Sequence, residues 1–193
     1  MDEKREIRNT SCEVTIDNES RTIEGYALLF DTPSTGLPFT EIIERGALED
    51  VIQKSDVFAL LNHSQERGIL ARSKKGQGSL ALTIDNKGLK YRFEAPNTTL
   101  GDELLENLKR GEVDSSSFAF TVEKDTWERC KDGKIKRSIK KVAELYDVSP
   151  VYNAAYAQTS VYKRGLEDLE ADEKKLKDEE LRGYYEEINK RFN

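Results

Sequence analysis

From Gly88 to Phe120 the chain reads GLKYRFEAPNTTLGDELLENLKRGEVDSSSFAF, and its hydrophobic period changes twice along the way. GLKYRFEA alternates apolar and polar side chains, the pattern of a half-buried strand. NTTLGDELLENLKRGEV then predicts a helix. Thr99 can cap it, Asp102 suits the positive end of its dipole, and Gly111 stops it. Leu100, Leu104 and Leu108 fall on one helical face with Leu105 alongside, so that face packs inward. With SSSFAFTVEKDTWE the strand period returns. Ser117, Ala119 and Thr121 point to one side, while Phe118, Phe120 and Val122 point to the core. Ser117 is therefore expected at the mouth of a strand whose other face is anchored, held rigidly and exposed.

The flanking sequence extends the same mixture, with strands in the majority. Upstream, EVTI and RTIEGYALLF surround the polar cluster DNES and predict a hairpin. ERGALEDVIQK carries Ala47, Leu48, Val51 and Ile52 at helical spacing and predicts a short helix. VFALLNH predicts a buried strand with His63 at its end, and GILARS and SLALTID predict two more strands, joined to each other through KKGQG and on to GLKYRFEA through NKG. Downstream, KDGKIKRSIKK (Lys131 to Lys141) predicts a basic hairpin, and KKVAELYDVSPVY a last strand that Pro150 interrupts. The fold class is α+β, mainly β, and many short strands at this spacing favour a barrel or sandwich. Composition shifts at Gly165. Residues 165–193 lack proline, carry dense charge and place Leu181, Tyr185, Ile188 and Phe192 at helical spacing, so they predict a helical tail after a first unit of residues 1–164.

The chain has 193 residues, enough for one domain with a core plus an appendage. Hydrophobic residues make up 36% and charged ones 35%. No apolar run is long enough to cross a membrane as a helix. The opening MDEKREIRNTSCEV lacks the apolar stretch of a signal peptide, which predicts a cytoplasmic protein without membrane association. Cys12 and Cys130 lie far apart in polar surroundings and are expected to be free thiols. A net charge of −6 argues against general nucleic-acid binding. The basic stretch at Lys131–Lys141 reads either as a solvated hairpin or as a docking patch for an acidic partner.

His63 is the only histidine in the chain. A lone imidazole beside apolar residues is commonly structural, so a catalytic reading needs a nucleophile and an orienting acid as well. Ser117 is a candidate nucleophile, since a serine hydroxyl needs a base to take its proton and imidazole suits that task at neutral pH. AELYDVSPV offers Glu144 or Asp147 to fix the tautomer, and on a regular strand these two face opposite sides. One histidine and two scattered cysteines do not build a usual zinc site, so no metal is expected. A Cys–His pairing through Cys130 would set the nucleophile in a polar hairpin tip with no anchoring strand.

In this order of motifs the chain resembles the prohead (capsid maturation) proteases of tailed phages. The resemblance runs from about Ile7 to Arg164 through IEGYALLFDTPS, EIIERGALEDVI, LLNHS, the Gly88–Phe120 stretch and ELYDVSPVYNAAYAQTSVY. It implies a fold similar to the herpesvirus assemblins, a β-barrel of about seven strands flanked by helices, followed here by the helical tail. It implies a serine endopeptidase that processes phage capsid and scaffold proteins during prohead maturation and cleaves itself, with no cofactor. Its partners would be the major capsid protein and scaffold as substrates and a second copy in a homodimer, inside assembling proheads in the host bacterial cytoplasm. Carried over by motif, NHS makes His63 the base and SSSFAF makes Ser117 the nucleophile. The third position falls near DVSPV, which favours Asp147 over Glu144. SFAF departs from the commoner SFGF by the methyl group of Ala119, and NAAY from a Pro-Ala-Tyr pattern. The contrasting expectation is a non-catalytic capsid- or scaffold-binding module working through its acidic tail, which has no need of a His63–Ser117 pair.

Overall fold

The computed structural model describes residues 5–10, 14–17, 20–34, 36–152 and 159–192. The fold is mainly β with three helices, in the order β1 (Glu6–Thr10), β2 (Thr15–Asp17), β3 (Thr22–Leu29), β4 (Thr40–Ile43), α1 (Val51–Lys54), β5 (Asp56–Ala59), β6 (Ala71–Lys74), β7 (Gln77–Gly78), β8 (Ala81–Ile84), β9 (Gly88–Glu94), α2 (Thr99–Arg110), β10 (Ser115–Arg129), β11 (Ile135–Val151) and α3 (Thr159–Phe192).

Two sheets form. A seven-stranded sheet runs β1-β10-β11-β5-β6-β7, with β4 also paired to β11, and a four-stranded sheet runs β2-β3-β9-β8. The barrel of about seven strands is therefore not seen as a closed ring of hydrogen bonds among the described residues. The β2–β3 and β8–β9 hairpins pair with each other, and among the described residues no ladder joins them to the larger sheet. Side-chain hydrogen bonds and single backbone bonds beside the strands do, Asp31 N to the Ile43 carbonyl at 2.9 Å and Leu80 N to the Arg72 carbonyl at 3.1 Å. Tyr91 on β9 shares a 2.8 Å hydrogen bond with Ser116 on β10, and the Thr10 hydroxyl donates to the Ala27 carbonyl at 2.7 Å. Between the sheets lies one core that includes Ile23, Leu28, Leu89, Tyr91, Phe93, Phe118, Phe120, Leu145 and Val148, together with Leu104 of α2. Gly25 is the cross-strand partner of Tyr91, and a Cβ there would stand 2.8 Å from the Tyr91 hydroxyl oxygen. Glycine leaves the room this buried ring needs.

The Leu-faced helix forms as expected, but Thr98, not Thr99, is its N-cap, accepting from Gly101 N at 3.3 Å. Gly111 closes it with a φ of 71°. The helix expected over Glu44–Lys54 shrinks to α1, because Gly46 and Asp50 take φ values of 88° and 60° that no α-helix admits. Ala47, Leu48, Val51 and Ile52 are buried nonetheless.

The strand expected to reach His63 ends at Ala59, and the last strand does not stop at Pro150. β11 continues through Pro150 to Val151, and the Pro150 carbonyl accepts from Asn62 N at 3.0 Å. A strand residue's N and C=O point to the same edge, so the absent N–H of Pro150 faces the side where β5 has already ended. No ladder bond is lost there. α3 begins at Thr159, ahead of the composition change at Gly165. Gly165 is buried against the Trp127 indole, which a Cβ would strike, and Glu173 accepts from Arg129 at 3.2 Å. The stripe read through Leu181, Tyr185, Ile188 and Phe192 lies outside the described side chains except for Leu181, which is exposed.

Candidate active site

Ser117 on β10 pairs with Ser149 on β11, and Ala119 pairs with Asp147. Direct antiparallel partners share a face, so these four side chains lie together. β11 bulges at Tyr146, where the register slips between Ala119 and Phe120. The slip lets Leu145 and Val148, three residues apart, both enter the core, with Asp147 turned to the site between them. The regular alternation that would have set Glu144 opposite Asp147 therefore does not apply.

β5 runs parallel to β11, with Phe58 beside Asp147 and Ala59 beside Val148. Leu60 and Leu61, both fully buried, carry the chain one step past the strand. Asn62 and His63 then take φ values of 53° and 59°, consecutive left-handed residues without glycine. Such a conformation costs about 1–2 kcal/mol per residue. The buried leucines and the Asn62–Pro150 hydrogen bond hold it in place, and it turns the imidazole back over β11.

The result is a linear relay. His63 Nδ1 lies 2.6 Å from Asp147 Oδ1, and His63 Nε2 lies 2.6 Å from Ser117 Oγ. A carboxylate can only accept, so Nδ1 carries the proton and Nε2 presents its lone pair to the hydroxyl. Asp147 is fully buried, and Ser149 Oγ donates to its Oδ1 at 2.7 Å while Arg5 donates to its Oδ2. The Ser117 hydroxyl has a second acceptor, the Arg8 carbonyl at 2.9 Å. It can serve only one at a time. With the imidazole protonated, Nε2 would donate to Oγ and the hydroxyl would turn to the Arg8 carbonyl.

Of the residues singled out from the sequence, His63, Ser117 and Asp147 meet here, and Glu144 is exposed outside the cluster. Ser117 is fully buried rather than exposed, because β1 runs along its far side with Asn9 as its direct partner. Ser116 belongs to the core through Tyr91. Cys130 is a free thiol in the turn between β10 and β11, and Cys12 lies outside the described residues. Three contributors were missed: Arg5, the Arg8 carbonyl and Ser149. Only Ser149 had a local signal, since it follows Asp147 by two residues on one strand and so shares its face.

A second cluster has no local signal in the sequence. Arg8 and Arg137, each 3% exposed, share Glu6 and Glu41 through hydrogen bonds of 2.6–3.0 Å. Burial pushes the Glu41 carboxyl up, but the hydrogen bonds and charges of Arg8 and Arg137 outweigh it and hold Glu41 below its ordinary 4.5. Burial likewise works against the Arg137 charge, and Glu6, Glu41 and Asp125 more than offset it, so Arg137 is raised. The basic stretch is thus not uniformly solvated, since its arginine points inward.

Comparison with known proteins bears on the fold and the family. The fold is similar to that of the bacteriophage T4 capsid assembly protease, gp21, with a TM-score of 0.50 and 13% identity over 78% of this chain and 98% of that one. No curated protein matches the sequence. The family model described as caudovirus prohead serine protease matches residues 6–175, from the first residue of β1 into α3. With the match spanning both sheets and the His63–Ser117 contact, the chain belongs to the caudovirus prohead serine proteases.

Proposed function

We propose that the chain acts through a Ser117–His63–Asp147 triad as an endopeptidase on the major capsid and scaffold proteins of an assembling prohead. The observation that carries this reading is the pair of 2.6 Å contacts on the two sides of one imidazole. Ser117 Oγ attacks the scissile carbonyl carbon as its proton passes to His63 Nε2, giving a tetrahedral adduct. Asp147 keeps Nδ1 protonated and offsets the imidazolium charge while that adduct exists. The imidazolium then returns the proton to the leaving amine as the C–N bond breaks. Water, activated by the same nitrogen, releases the acyl group from Ser117.

The same reading takes the two packed sheets as an opened version of the assemblin-like barrel, residues 1–164 as the protease unit, and 165–193 as a tail that the enzyme removes from itself. A homodimer and action inside the prohead, in the host bacterial cytoplasm, belong to this proposal. The test is coexpression with the cognate capsid protein, comparing wild type with Ser117→Ala by mass spectrometry. Specific capsid fragments are expected from wild type alone. Equal fragmentation by both would end the assignment.

A further inference from the structure

Asp147 raises a question of charge. Its carboxylate is fully buried, and a neutral imidazole on Oδ1 does not compensate a buried negative charge. We infer that Arg5 is a positioning residue for the catalytic acid, neutralising Asp147 in the resting enzyme and thereby setting the pH at which His63 can act as a base. This rests on the triad reading of His63, Ser117 and Asp147.

The geometry is specific. Arg5 donates to Asp147 Oδ2, the oxygen that neither His63 nor Ser149 uses. Its guanidinium also lies 4.9 Å from the centre of the Tyr146 ring, a shelf that fixes its plane. The chain reaches this point by strand register. Ile7, Ala119 and Asp147 form one row across β1, β10 and β11. Arg5 precedes Ile7 by two residues and so shares its face. Ala119, between them, is small enough to leave the row open to a long side chain.

Groups facing Asp147 from each neighbouring element bear on its charge. β10 presents Ala119 and Ser117. β11 adds Ser149 and Tyr146. The turn after β5 supplies His63, followed by Arg67, which is occupied by Glu103. β5 places Phe58 beside Asp147, and the Arg72 guanidinium over that ring is paired with Asp56. Among the described residues, Arg5 is therefore the cation whose charge is committed to Asp147. Without it, the full carboxylate charge acts on the imidazole and favours its charged form over the free base.

Fluorophosphonate labelling of Ser117 tests this in the full-length protein without a known cleavage site. The second-order labelling rate is measured against pH for wild type, Arg5→Gln and Arg5→Lys, with Ser117→Ala as the control. Arg5 is 39% exposed, so solvent screens part of its charge. The acidic midpoint of Arg5→Gln is expected to move up by roughly half a pH unit to one, slowing labelling as much as about tenfold on the acidic limb. Arg5→Lys should restore most of the wild-type midpoint. Uniform slowing of Arg5→Gln at every pH, with an unmoved midpoint, would overturn the inference. Should Arg5→Gln fail to fold, Arg5→Lys decides: a wild-type midpoint supports the charge role and a displaced one refutes it. Labelling of Ser117→Ala at the wild-type rate would instead refute the triad reading, separately from any result with Arg5.

Discussion

Arg137 Nη1 lies 2.6 Å from Glu6 Oε2 across 131 residues of sequence, and both side chains are 3% exposed. Arg8 and Glu41 complete the cluster, which clamps β1 to β4 and β11. The clamp matters to the site because β1 also carries the Arg8 carbonyl that touches Ser117, and follows the arginine that touches Asp147. Glu6 and Arg8 point to one face of β1 and hold it, while Arg5, Ile7 and Asn9 face the side of Ser117 and Asp147.

Removing one partner of this clamp leaves a buried charge uncompensated. Arg137→Ala is expected to destabilise the fold by about 3–5 kcal/mol. Lys141→Ala breaks only the exposed pair with Glu123 and should leave the denaturant midpoint unchanged. Urea unfolding of the two variants checks this, and equal effects would mean that the cluster is not buried in solution.

The clamp also predicts acid sensitivity. The Glu41 carboxyl is held below 4.5 in the folded chain. A depressed carboxylate contributes stability that is fully present above its unfolded value and is lost as pH falls through the folded one. Thermal melts should therefore show wild type weakening below about pH 4.5, where the unfolded chain begins to take up the proton. Glu41→Gln should start less stable at pH 7 and show a shallower fall. Parallel curves would remove Glu41 from the acid response.

Among the three adjacent serines, only Ser117 should matter for chemistry. Ser117→Ala is expected to fold normally and lose cleavage by on the order of 10⁴–10⁶ in turnover. Ser115→Ala should be mild. Ser116→Ala should keep activity but lower stability by about 1–3 kcal/mol, since the buried hydrogen bond between Ser116 and the Tyr91 hydroxyl is lost. Paired melting and cleavage assays separate these effects.

Asp147→Asn should retain the fold and lower turnover by on the order of 10⁴, because an amide can hold His63 in the wrong tautomer. Glu144→Gln, on an exposed side chain, should remain near wild type. The reverse ranking in a peptide-cleavage assay would move the third role to Glu144.

Gly165→Val should lift α3 from the β10–β11 hairpin, since any side chain there meets the Trp127 indole. Trp127 is the only tryptophan, so its emission should shift to the red, while the melting transition of the core is retained. A chain ending at Arg164 should likewise keep its core, whose last strand is complete at Val151. Unfolding of either variant would make α3 an integral part of the domain.

What the sequence by itself determined about this protein is what short-range periodicity encodes. The Leu100–Leu104–Leu108 face, the strand on which Phe118 and Phe120 point inward, and the hairpin around DNES are each written within a few residues, because side-chain direction repeats with the local backbone. That His63 and Ser117 meet was expected from the sole imidazole, a hydroxyl on an anchored strand and the family resemblance, and the structure brings them within 2.6 Å. Only the tertiary structure decided how these pieces meet. The bulge at Tyr146 sets which acid faces His63, and a bulge is an insertion in pairing that one strand's composition does not reveal. The left-handed turn at Asn62 and His63 depends on buried leucines and a carbonyl from another strand. Arg5, Arg8 and Arg137 looked like ordinary solvated charges. Burial and partners are long-range properties, and their carboxylates lie as far away as 142 residues along the chain.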